Sequence, residues 1–408
     1  MSNAREYLRK KQKIKKNRLL KKIHTGRPVK RTRMRHRLGI AAVLCVFAIA
    51  AAALAAGFAG RTYKAYEVQS NQVLTSSKGM DYQDFCGGIM QYDARNVTYI
   101  SEDNQRIWSY SYQMQTPFPD TCGSMAALGD IRGNRIVLFD TSGKRGEIYT
   151  QLPIRRYRVS DRGLVAVILA EGKDSRIEIY NGLTGDSLGS YGVPEDRIGY
   201  PADLDISPDG TKLIVSYMQL DMQPQDTIST SHIAFYRLQR VGSETVRQLV
   251  SSKIIQGGIF PQVVFIDSAH AAALGNGSIL LFEGNEIPEP LKQIDLPAEE
   301  RALDYFSNDQ YVGMTVTRQK GAPILLKVYS ADGTQQFTKE LEEAYDEIKL
   351  YKDQLLLCRD KALRIYDLGG RKRYSGDMPL PILEIIPGDK KYQYTVIDSA
   401  GIRQIRLH

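Results

Sequence analysis

Cys86 and Cys122 are the residues whose type and spacing could do covalent chemistry. Each precedes a glycine, in CGG and CGS, and 36 positions separate them. In an oxidising compartment such a pair can close a disulfide; the alternative is two buried thiols. Spacing leaves both open, because the bond depends on a Cα separation that sequence does not supply. Cys45 lies inside a long apolar run, and Cys358 ends the strand-like LLLC, where a small core residue fits. His24, His36, His232, His270 and His408 are scattered, with no HExxH and no CxxC, so no metal centre is expected. Asp203, Asp205 and Ser207 alternate as calcium ligands do. The glycine such a loop needs at its sixth position is replaced by Pro208, and no glutamate stands at the twelfth. Ser207-Pro208-Asp209-Gly210 therefore reads as a tight turn between strands. No GxSxG and no GxxxxGK[ST] occurs. The pairs Glu299/Glu300 and Glu342/Glu343 fall in polar connections and read as solvated surface. No catalytic, cofactor-binding or metal-binding residue is expected from local motifs, and no cofactor.

The elements around these residues are short strands. Alternating apolar segments recur, each reaching an aromatic and then a glycine-containing turn: RIVLFDTSG, RIEIYNGLTG, HIAFYRLQRVG, SILLFEGN, LLKVYSADG and ALRIYDLGG. Their aromatics are Phe139, Tyr180, Tyr236, Phe282, Tyr329 and Tyr366, at intervals of 41, 56, 46, 47 and 37 residues. RIWSY with Trp108 adds a unit upstream, and GIRQIRL adds one downstream without an aromatic. Strict alternation means half-buried strands, and recurrence at this period means a repeat architecture. One four-stranded unit cannot bury both faces; stacking units around an axis can. The units fall at 79–114, 115–153, 154–194, 195–256, 257–297, 298–344, 345–381 and 382–408. The last is too short for four strands, and YKAYEVQSNQVL (63–74) is the segment left to complete it. The 195–256 unit is the longest, because YMQLDMQPQDTISTSH predicts an extended hairpin.

Residues 38–60 carry no charge, and as a helix they reach roughly 34 Å at ~1.5 Å per residue, enough for a ~30 Å hydrocarbon core. Residues 1–37 hold sixteen Lys or Arg and one acidic residue, Glu6, a formal charge of +15 within a chain total of +9. The remaining residues are therefore mildly acidic, which excludes a nucleic-acid-binding propeller face. Basic charge beside an apolar helix holds that end in the cytoplasm and attracts anionic lipid. The expected organisation is a basic cytoplasmic tail (1–37), a transmembrane helix (38–60) and an exocytoplasmic β-propeller (61–408). A cleaved signal peptide is the rival, since Ala53-Leu54-Ala55 and Gly57-Phe58-Ala59 have small-residue spacing; the long basic and apolar regions favour a retained anchor. The expected fold is all-β: a β-propeller of about eight, alternatively seven, four-stranded blades, preceded by one N-terminal transmembrane helix.

The phrases LPIRRYRVSDRGLVAVIL, IEIYNGLTG, SPDGTKLIVSY, HIAFYRLQ and FPQVVFID, with this organisation, resemble an uncharacterised family, classed as a domain of unknown function. Its members are single-pass membrane-anchored proteins of Gram-positive, clostridia-type bacteria. The likeness covers about 62–408 and implies an exported propeller-like domain. More loosely the units are similar to WD40-like and quinoprotein-like repeats. No Trp-Asp dipeptide occurs and Trp108 is the sole tryptophan, so the tryptophan dock of quinoproteins is absent.

Three functions follow as expectations. The first is a non-catalytic binding or scaffold module at the cell surface, with a protein or cell-envelope polymer as partner. The second is an exocytoplasmic hydrolase or lyase acting on glycans, with acid–base residues gathered at the axis from separate blades. The third is a tail that recruits RNA or an acidic protein to the membrane.

Overall fold

The alternating segments of 62–408 are β-strands in the computed structural model, which describes residues 9–15, 62–73, 79–222, 227–241, 244–319, 321–341, 343–388 and 390–408. The chain divides into two units, 1–61 and 62–408. In the first, residues 9–15 form a short helix with exposed side chains. The expected span at 38–60 and most of the basic tail lie outside the described residues. Among the described residues no helix is long and apolar enough to cross a membrane.

Among the described residues of the second unit, eight four-stranded antiparallel sheets make a propeller. Blades 1 to 7 span 81–111, 117–149, 154–193, 200–256, 262–295, 301–340 and 347–377. Blade 8 takes three strands from 382–407 and its fourth from Tyr66–Val73, which pairs antiparallel with Gly401–Leu407. The ring is thus closed by its own N-terminal strand, and the count is eight rather than seven. Within each blade the first strand lies nearest the axis, where first strands of neighbouring blades meet: those of blades 2 to 5 in succession, of 6 with 7, and of 8 with 1.

Period-2 patterning buries one face of each sheet against the next blade and the other face against the previous one. Each apolar cluster accordingly spans two neighbours. Ile136 of blade 2 packs with Tyr157 of blade 3, and Phe235 of blade 4 with Phe282 of blade 5. The closing seam is the smallest. Its fully packed members are Ile89 and Ile100 of blade 1 with Ile386, Ile397 and Ile402 of blade 8.

The recurring aromatic has a structural meaning. A β-bulge separates the third and fourth strands just before Phe139, Tyr180, Tyr236, Phe282, Tyr329 and Tyr366. In blade 1 the same bulge falls between Tyr99 and Ile100. Trp108 therefore belongs to the fourth strand, Arg106–Ser111, of the upstream unit, and Ile100 takes the aromatic's place there. Blade 4 carries the expected long hairpin, between Lys212–Met222 and Thr227–Val241, and its fourth strand, Glu244–Gln256, lengthens with them.

Candidate functional site

The first strand of each blade has one edge without a strand partner, because it faces the axis. Its N–H groups need other acceptors. In blades 3 and 5 side chains of the preceding blade supply them. Asp120 of blade 2 accepts the Val159 N–H of blade 3 at 2.7 Å. Asp203 and Asp205 of blade 4 accept the Val263 and Phe265 N–H groups of blade 5 at 3.0 and 2.6 Å. Blade 3 contributes the countercharges. Arg158 lies 3.4 Å from Asp120 and 3.9 Å from Asp205, and Arg156 pairs with Asp203.

A second bulge aims some of these groups. It sits at the start of the first strand in blades 3, 4, 6 and 8, and the residue that resumes the pairing is Arg156, Asp203, Asp304 or Glu384. An extra residue in one strand re-aims the side chain that follows. Glu384 uses the position as Asp203 does: it pairs with Lys349 of blade 7.

Asp120, Arg158 and Asp205 line a cavity of about 630 Å³ on the axis. Cys122, Asp161, Asn308 and Asp309 lie in the same wall, at the end where the turns between first and second strands gather. Burial pushes the carboxyls of Asp120, Asp203 and Asp205 up against the pull of the guanidinium groups, Asp205 to about 7. Burial works to lower Arg158, but Asp120, Asp203 and Asp205 overcome it and hold the guanidinium above its ordinary value. The network is therefore three carboxylates against two guanidinium groups in a poorly solvated place.

A model of a family of unknown function (DUF5711) matches residues 59–407. The chain belongs to this family. The resemblance read from the sequence is met in its family and its fold, while the anchor lies outside the described residues. Nothing among curated proteins matches this DUF5711 member. Among solved structures it is similar to the computationally designed Ika8 protein, at TM-score 0.52 and 12% identity over 83% of this chain and 100% of that one. BamB from Moraxella catarrhalis gives 0.49 and 11%, covering 84% and 97%. Sqt1 from Saccharomyces cerevisiae gives 0.48 and 10%, covering 85% and 98%. At such identities the likeness is one of fold alone.

The two cysteines of this DUF5711 chain occupy equivalent turns of blades 1 and 2, one residue out of step. The turns join Phe85 to Gly88 and Cys122 to Met125. Cys86 is thus the first turn residue, while Cys122 is the last residue of its strand. Both are free thiols. The Cys86 thiol is exposed, not buried, and donates to the Gly123 carbonyl at 3.4 Å. Burial, with Asp205 and Asp120, pushes the Cys122 thiol up to about 12. Partial desolvation by its neighbours also raises the exposed Cys86, with Asp161 and Asp140 adding to it. Neither is a thiolate at neutral pH, so neither is a ready nucleophile.

Cys358 is a core residue, as expected. Ser207–Gly210 is the expected turn, with the Gly210 N–H donating to Ser207 O at 2.7 Å and Gly210 at φ +70°. Glu300 corrects an expectation. It is buried between Lys327 and Arg318, not solvated. Glu343 pairs with Arg359 at 3.0 Å, and Glu342 lies outside the described residues. The axial network itself was missed by motif reading. Its signal was present in IRRYRV and DLDI: like charges two apart on one strand, opposite in sign on the first strands of consecutive blades.

Proposed function

We propose that this protein is a non-catalytic binding module, held in the cell membrane by residues 38–60, that offers its axial mouth to a protein or envelope-polymer partner outside the cell. The observation that carries this reading is the occupancy of the axial carboxylates. A general acid needs a proton on an oxygen that faces the substrate. Asp205 Oδ2 accepts the Phe265 N–H, and its Oδ1 accepts the Ile206 N–H at 2.9 Å. Asp120 Oδ2 accepts from Val159 while its Oδ1 faces Arg158. These groups fasten blades to one another and leave a rigid, polar, cavity-bearing face for recognition.

A photoreactive residue at Asp309, in the wall of the mouth, should yield a discrete adduct in living cells. The same residue at Lys173, in the exposed turn between the second and third strands of blade 3, should not. Equal labelling from both positions, or none from either, overturns the reading.

The enzymatic alternative has one observation in its favour. Three carboxyls whose pKa values are raised by burial converge at the axis. Cleavage of an envelope glycan by the wild-type protein, abolished by Asp205→Asn in a variant of unchanged fold, would replace the binding reading with this one.

A further inference from the structure

A second cavity, of about 240 Å³, lies between blades 7 and 8, where their turns from first to second strand meet. Its wall holds Tyr351 and Lys352 from blade 7 and Lys390, Lys391, Tyr392 and Tyr394 from blade 8. None of the three lysines has an ion-pair partner among the described residues. Other lysines near the blade seams are paired: Lys327 with Glu300, Lys349 with Glu384. Three unpaired ammonium groups face one carboxylate, Asp353, with Asp389 adjacent in sequence but outside the described residues. This occurs on a folded part whose overall charge is negative.

The tyrosines fix two of the lysines. Lys352 Nζ stands 5.1 Å from the centroid of the Tyr351 ring, and Lys391 Nζ stands 5.3 Å from that of Tyr392. Each turn also contains a non-glycine residue in the left-handed region, Lys352 at φ 50° and Tyr392 at φ 66°. Such a conformation is disfavoured for a residue with a Cβ and persists only where neighbours impose it. Asn308 Nδ2 donates to Lys352 O at 3.1 Å, and the Leu407 N–H donates to Tyr392 O at 3.0 Å. Tyr394 donates to Gln354 Oε1 at 2.6 Å, which leaves the Gln354 amide N–H groups as donors at the cavity wall. The site is thus pre-shaped, cationic, aromatic and rich in donors. Its volume is below the roughly 300–1,000 Å³ of pockets for drug-sized ligands, and suits one ring at a time.

We infer that this cavity binds a single anionic sugar unit, free or within a polymer, with lysines on its phosphate or carboxylate and tyrosine walls against its ring. The site is separate from the axial mouth, and it stands or falls independently of the function proposed there.

The test is titration of the full-length protein in detergent with glucose 1-phosphate, glucuronic acid, glucose and inorganic phosphate, read by ligand-observed NMR. Both anionic sugars should bind, and glucose should not. The double variant Lys352→Gln/Lys391→Gln should weaken them about tenfold or more, whereas Lys352→Arg/Lys391→Arg should retain them. Both variants change exposed side chains, and near-UV circular dichroism verifies their fold. Absence of binding by both anionic sugars at millimolar concentration overturns the inference. So does inorganic phosphate binding as tightly as the sugar phosphate, glucose binding equally well, or retention of binding by the glutamine variant.

Discussion

Asp205 shows how a side chain that fastens the ring also makes its stability depend on pH. Its folded value of about 7 lies above the ~3.9 of an unfolded aspartate. Between these values the folded state binds the proton more readily. Stability therefore falls as pH rises through this window and recovers below it. Asp120 and Asp203 act in the same direction. Glu147 acts oppositely. Burial would raise it, but Lys144, Tyr149 and Arg135 prevail and lower it to about 2, so its contribution is present above ~4.3 and lost as pH falls towards 2. Urea denaturation of the wild type and Asp205→Asn at about pH 7.5 and 5.5 isolates the first effect. The wild type should gain about 2 kcal/mol relative to the variant on acidification, and parallel profiles would exclude the assignment. Tyr157 offers a neutral comparison. Its buried hydroxyl donates to Phe118 O and accepts the Gly129 N–H at 2.8 Å, joining blade 3 to blade 2. Tyr157→Phe leaves a carbonyl and an N–H unpaired and should cost about 1–3 kcal/mol at either pH. A loss that varies with pH would mean the hydroxyl is coupled to the Asp120 network.

Seams between blades are the elements that set local stability. The seam of blades 8 and 1 buries a small set of isoleucines, and no large aromatic side chain joins its fully packed core. Other seams hold such side chains: Phe235 and Phe282 between blades 4 and 5, Phe85 and Phe139 between blades 1 and 2. Less buried apolar area means less stabilisation, at roughly 25 cal/mol per Å². Native-state hydrogen exchange should therefore open the strands Tyr66–Val73 and Gly401–Leu407 before those of blades 2 to 5, and earlier opening of blade 4 would contradict this ranking. The ring was readable from sequence because strand period and bulge position are local. An aromatic placed after the bulge marks the third strand in blades 2 to 7, and the orphan segment at 63–74 was the arithmetic remainder. Trp108 marks blade 1 one strand later than the aromatics of blades 2 to 7, because it lies on the fourth strand, across from Tyr99. The axial network was hidden for a different reason. Arg158 meets Asp120 and Asp205 from strands 38 and 47 residues away, and only the packing of consecutive blades brings them together. Glu300 was misread similarly, since Lys327 arrives from the far side of its own blade.

Charge is segregated across the whole molecule, with +15 in the first 37 residues and a net negative remainder. A soluble propeller gains nothing from that division, whereas a chain threaded through a bilayer is oriented by it. The 23 uncharged residues at 38–60 begin immediately after the last arginine of the tail, Arg37. The ring begins soon after them, its first isolated bridge being Tyr63 with Tyr374. If 38–60 spans the membrane, tail and propeller lie in different compartments. Trypsin added to intact protoplasts distinguishes the arrangements. Exposed sites such as Lys173 and Lys391 should be cleaved while an N-terminal tag stays protected until lysis. If the propeller resists until lysis yet is digested after it, the ring faces the cytoplasm and both proposed ligand classes lose access to it. If fractionation shows a soluble protein with a new N-terminus near Ala56 or Gly60, the segment is a signal peptide. The propeller would then be secreted, with its sites intact and its tether gone.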